Sequence, residues 1–253
     1  MDHNSTCESL SKQIDAIERW FNDQRIYPRD LPNLYVDKAP LALVAKCISV
    51  ARAVCCLVRD GFHAEAFGLT RTQVEIAFAC RYFACGDSVQ RTREYVEYFG
   101  KDRETWTKMM QKHHPDLTPV FSADHNQLLS LGKNYRNPSR WAAKTLAEMS
   151  RETNAIDVHD GTPLTWEYHY DMIYRWTSHY VHATVVALNA KVWPEASPFE
   201  IRKSAEENLG RMALYNAYAF LVYSSEFTCR VLGIDFPNEY VRGVETLVET
   251  AAH

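Results

Sequence analysis

Apolar residues follow helical periods through the long segments of the chain, and apolar–polar alternation of the kind a half-buried strand needs does not persist anywhere. A first helix starts at Ser5 or Thr6 and reaches about Asn22. The proline-punctuated stretch 26–40, IYPRDLPNLYVDKAP, is a connector. A second helix covers about 41–59 and ends near Gly61, and a third covers about 63–85. Asp87 or Ser88 caps a fourth, which runs to His114 ahead of Pro115. The middle, 115–162, is irregular, with short helices predicted near 124–131 and 138–154. A long helix is predicted over 163–192, with Pro163 in its first turn. Ser197, Pro198 and Glu200 form a capping-box pattern for a helix reaching Leu232 before Gly233, and a last helix covers 238–251. The expected fold is all-α: a multi-helix bundle of long antiparallel helices with an irregular inserted middle. It forms one domain over 1–253, with C-terminal helices over 198–251 packing on it.

Composition supports a packed core. Hydrophobic residues make up 46% of the 253 positions and aromatics 12%, while a charged fraction of 24% is ordinary for a folded chain. A net charge of −4 argues against broad electrostatic capture of nucleic acid, though it leaves room for a local basic pocket. The seven cysteines are odd in number, form no CxxC pair and lie mostly in apolar helices, which points to reduced thiols and a cytoplasmic protein. The first residues lack the basic-then-apolar pattern of a signal peptide. Two apolar segments are candidates for a membrane span. One, 40–58, carries Lys46 and Arg52; the other, 212–227, is short and carries Glu226; both suit core helices, and no membrane partner is expected. P-loop, dinucleotide-binding, nucleophile-elbow and zinc-protease motifs are absent.

Candidate chemistry sits on two helices. On the third, Arg71 and Glu75 are four residues apart and share a face, flanked by Phe67, Val74, Phe78 and Tyr82. Gly68, one turn earlier, allows another helix to come close. On the 163–192 helix, Glu167, Asp171, Arg175, Ser178 and His182 line one side among aromatic residues. The two stripes are expected to meet, with Glu75 accepting a hydrogen bond from Ser178 or His182. One outcome is a sealed core network that fixes helix register, where removing Glu75 would cost about 1–3 kcal/mol and His182→Ala would lower the melting point. The other is a site in which Glu75 orients a titrating His182. A metal at Asp171, His179 and His182 lacks a second supporting helix, so neither metal nor cofactor is expected.

Arg71-x3-Glu75, Trp141 within SRWAAKTLAEMS, and Tyr174-x3-Ser178-x3-His182 together resemble an uncharacterised bacterial helical family, domain of unknown function family 5677, over roughly 41–189. That resemblance implies that Arg71, Glu75, Ser178 and His182 act together, and it supplies no reaction. More distantly, the chain resembles HEPN proteins, helical bundles many of which are dimeric, metal-independent ribonucleases or toxins. Ser178 and His182 match the last two positions of their arginine–polar–x3–histidine site. Thr177 stands where the arginine would be, and Arg175 is a looser match. The HEPN resemblance implies His182 as general acid or base, Arg71 or Arg175 stabilising phosphorane charge, Ser178 positioning phosphate and Glu75 holding the tautomer. Two functions stay open. One is a binding or regulatory module in bacterial defence or stress, taking RNA or a small ligand at its polar cluster. The other is a HEPN-like ribonuclease or toxin using His182, as a homodimer. Solvent exposure of His182 separates them.

Overall fold

A helix that is apolar over most of its circumference must pack against several others, and α2 (Leu34–Arg59), α3 (His63–Ala84) and α8 (Glu207–Leu232) are the most apolar long helices among the described residues. They pack on one another as the centre of the bundle. Small residues on the contact faces, among them Ala51, Ala77, Ala213 and Ala217, are fully buried and let the backbones approach, while Phe67, Phe78, Phe83 and Phe220 fill the space between. Polar side chains also cross this core. Gln73 on α3 donates to the Ala217 carbonyl of α8 at 3.0 Å and to the Cys47 carbonyl of α2 at 3.4 Å, so one amide ties all three helices. The computed structural model describes residues 3–26, 34–116, 144–153, 165–182, 192–193, 200–201 and 207–251.

The flanking helices are amphipathic. α1 (His3–Asp23) buries Cys7, Leu10, Ile14, Ile17 and Phe21, spaced three or four apart, against α2. α4 (Ser88–His113) starts where Asp87 accepts the Gln90 N–H at 3.0 Å, the predicted cap. α9 (Asn238–Ala251) lies on α8, and the Tyr218 hydroxyl donates to the Tyr240 carbonyl at 3.0 Å. Gly61 and Gly233 close α2 and α8 with φ of +80° and +71°. In each case the next residue's N–H reaches back to a carbonyl five positions earlier, Phe62 to Leu57 and Ile234 to Cys229. The all-α multi-helix bundle is therefore the observed fold. Among the described residues α2 alone, over Asp37–Arg59, is long and apolar enough by composition to cross a bilayer (mean hydropathy 2.1), and here α1, α3, α4 and α8 pack against it.

Several boundaries differ from the sequence reading. α2 begins at Leu34 rather than near 41, with Pro40 inside it. An early-turn proline removes one helical hydrogen bond, and the Pro40 carbonyl gains a side-chain donor in Thr228 at 3.5 Å. α5 covers Leu146–Thr153, half of the predicted 138–154, and begins at a reciprocal capping box: Thr145 Oγ1 accepts the Glu148 N–H, and Glu148 accepts the Thr145 N–H at 2.6 Å. The predicted 163–192 helix ends at Val181, with His182 in extended backbone conformation. Val192–Trp193 (β1) pairs antiparallel with Glu200–Ile201 (β2). At these four residues the structure has strand where helix was expected, and Val192, Trp193 and Ile201 favour strand. α8 starts at Glu207 and is part of the central core rather than an addition to it. The predicted helix at 124–131, Trp141, Ser197 and Pro198 lie outside the described residues.

Candidate functional site

The rod that carries the second polar stripe is α6 (Trp166–Tyr168), a π-helical stretch (His169–Tyr174) and α7 (Arg175–Val181), and it packs along α3. Thr165 caps its start, accepting the Tyr168 N–H at 3.1 Å. At that end Trp166 is buried edge-on against Phe78, at 5.2 Å between ring centroids. At the other end the Tyr180 ring meets Phe67 edge-on at 5.3 Å. A side chain at Gly68 would sit 3.3 Å from the Tyr180 Cβ, so the glycine permits the approach its position suggested.

Arg71 is the hub of the polar cluster between these anchors. Its Nε donates to Glu75 at 3.2 Å, one terminal nitrogen donates to the Tyr174 hydroxyl at 2.9 Å, and the other lies 3.2 Å from His182 Nε2. A guanidinium only donates, so the imidazole presents its Nε2 lone pair to Arg71. Tyr174 also lies beneath the guanidinium, 4.8 Å from ring centroid to Cζ, and stacks on Tyr170 at 5.2 Å. Burial, then the Glu75 carboxylate, push the Tyr174 phenol above its ordinary range, with Arg71 opposing, so the hydroxyl stays protonated.

Three expectations are corrected. Glu75 does not bond Ser178 or His182; its partner is Arg71, and Arg71 makes the contact to the second helix. The Ser178 hydroxyl donates to the Tyr174 carbonyl of its own helix at 2.7 Å, so it joins the rod rather than the cluster. Arg175 points to solvent beside Asp171 at 3.5 Å and does not meet Arg71. Glu167, at the far end of the stripe, pairs with Arg151 at 3.1 Å. The wider turn of the π-helical stretch shifts the angular phase between Glu167 and the residues after Tyr174, so a stripe drawn from Glu167 at constant α-helical pitch does not survive.

The network is not sealed. The side chains of Arg71 and Glu75 keep 21% and 43% of their exposure, and His182 is exposed. Ion pairs this open contribute little, so Glu75→Ala is expected to cost no more than about 1 kcal/mol, below the sequence-based figure. A denaturant titration checks it, and a loss of several kcal/mol would mean a buried network after all. His182→Ala is likewise expected to leave the melting curve close to wild type, opposite to the sequence expectation. Among the described residues no three His, Cys, Asp or Glu gather as metal ligands, Asp171, His179 and His182 included.

Beneath the rod lies a second polar pair. Arg81 is 1% exposed and packed between Trp166 and Phe227, and it donates to the Thr153 carbonyl. His169 sits among Trp166, Phe220 and Tyr223; burial, and then the Arg81 charge, drop its imidazole to about 4, so it is neutral at pH 7. On the other flank of Glu75 a cavity of about 520 Å³ opens between α2, α3, α4 and α5.

Residues 37–198 match a family model described as a family of unknown function (DUF5677). No curated protein and no solved structure matches the chain.

Proposed function

The chain belongs to the DUF5677 family, a family of unknown function, and from the geometry of the Arg71 cluster we propose that the protein is a helical binding module that takes up a phosphate-bearing ligand, single-stranded RNA being the first to test. The observation that carries this reading is the state of Arg71. Of its five N–H donors, three are spent on Glu75, Tyr174 and His182. Among the described residues no partner takes the remaining N–H on each terminal nitrogen, a fork suited to two oxygens of one phosphate. Glu75 and Tyr174 hold the guanidinium in place, so little side-chain entropy is lost when a ligand arrives. All seven cysteines are free thiols, which supports a reducing, cytoplasmic setting.

A second reading rests on His182. The exposed imidazole, 3.2 Å from the phosphate-binding guanidinium, would take a proton from a 2′-hydroxyl once that hydroxyl replaces Arg71 at the Nε2 lone pair, the step of a HEPN-like, metal-independent ribonuclease. One experiment separates the readings. Labelled single-stranded RNA is titrated with the protein in chelator, followed by anisotropy and by denaturing gel. RNA that is bound and stays intact, with Arg71→Ala weakening binding about tenfold or more, supports the binding module. Cleavage that disappears in His182→Ala supports the nuclease. RNA that is neither bound nor cut removes both as RNA readings.

A further inference from the structure

Lys46 on α2, Thr72 on α3 and Asp102 on α4 face the 520 Å³ cavity from three helices. None of the three side chains makes a hydrogen bond or ion pair with another described residue. That sets them apart from their neighbours. Glu104, two residues from Asp102, takes both Lys101 and Lys108, and Glu75, a fourth polar wall, takes Arg71. One cation, one anion and one hydroxyl are thus left facing a single space. The rest of the wall is apolar or aromatic: Leu43, Ile76 and Leu146, with Tyr95 and Tyr98 on the α4 side. Partial desolvation raises the Asp102 carboxyl above its ordinary range, and an incoming cation would offset it. The volume falls within the roughly 300–1,000 Å³ of small-molecule sites.

We propose that this cavity binds a small zwitterion with an apolar body, of the apolar α-amino acid class, its ammonium on Asp102 beside the tyrosines and its carboxylate on Lys46 and Thr72. Among the described residues the unpaired wall charges sum to zero, so a neutral apolar ligand would desolvate both without pairing either, and a singly charged one would leave one stranded. Ammonium against tyrosine faces adds a cation–π contribution. Lys46, Thr72 and Asp102 take no part in the Arg71 cluster, and Glu75, which borders both, stays with Arg71.

The test is a ligand-observed NMR titration of the full chain with three probes: L-phenylalanine, 2-phenylethylamine, which lacks the carboxylate, and 3-phenylpropanoate, which lacks the ammonium. Phenylalanine is expected to bind saturably, and each analogue about tenfold more weakly or worse. Asp102→Asn and Lys46→Met should each cost phenylalanine a similar factor. Both positions are exposed, so their melting curves should match wild type, which excludes loss of fold as the cause. Absence of saturable phenylalanine binding, equal affinity for the three probes, a preference for either analogue, or phenylalanine affinity unchanged in both variants would each overturn the proposal.

Discussion

Trp166→Ala is expected to destabilise the fold by about 3–5 kcal/mol, the range for truncating a large buried aromatic residue. Trp166 is 7% exposed and sits where α3, α8 and the site-bearing rod converge. Its ring meets Phe78 of α3 and Tyr223 and Phe227 of α8, all with centroids within 5.6 Å, and the Arg81 guanidinium lies 4.7 Å from its centroid. Truncation would leave a cavity and also strip a buried cation of one of its two aromatic faces. Trp166→Phe keeps a ring and should lose much less. The midpoint and slope of urea unfolding check both variants. A shift below about 1 kcal/mol for the alanine variant would show that the rod is held elsewhere, with Phe67 and Tyr180 the next anchor to test.

The second large effect is on pH. Stability is expected to fall by about 3 kcal/mol as pH drops from about 6.5 to about 4, through His169 alone. In the unfolded chain this histidine takes up its proton near 6.5, whereas in the fold it resists until about 4. Between those values the unfolded state binds more protons, so the stability contributed by the neutral buried ring is complete above 6.5 and lost as pH falls through the window. The physical opposition comes from burial among Trp166, Phe220 and Tyr223 and from the Arg81 charge. Carboxylates held down by cations, such as Glu104 and Glu152, add a further acid limb at lower pH. The informative quantity is therefore the difference between wild type and His169→Phe, which keeps an aromatic ring and removes the titration. Parallel stability–pH curves for the two proteins would show that His169 carries no such linkage.

The sequence made the fold legible where local rules coincide with tertiary demand. α1 and α3 follow their apolar periods closely, Asp87 caps as its position suggests, and Gly61 and Gly233 mark real helix ends. Where two prolines stand close together, at Pro194 and Pro198, a capping-box pattern outweighed the strand preference of their neighbours and the reading failed. At the candidate site, Arg71 and Glu75 were visible because one turn of one helix joins them. The bond from Arg71 to His182 spans 111 positions, and its direction depends on how α3 meets the rod. Tyr174 stood in the family motif but not among the expected site residues, because a tyrosine in an aromatic stretch looks like packing, and only the three-dimensional arrangement turns its hydroxyl toward Arg71. The cavity is less legible still. Lys46, Thr72 and Asp102 lie on separate helices with no shared motif, and what marks them is the lack of partners in space.

The π-helical stretch at His169–Tyr174 has a bearing on how this chain can change length. Its i→i+5 bonding spends one more residue than an ordinary helix would over the same path. Loss of a single residue there, for instance the exposed Met172, would give a smoother helix and leave the Trp166 anchor in place. Because the widened turn absorbs that extra residue, everything downstream would keep its orientation about the helix axis, and the Tyr174 and His182 side chains would stay beside Arg71. A single deletion in α7 would instead turn the residues after it by about 100° and separate His182 from Tyr174. Descendants of this sequence that keep the Arg71 cluster should conserve the number of residues between Tyr174 and His182, while the number between Trp166 and Tyr174 can fall by one.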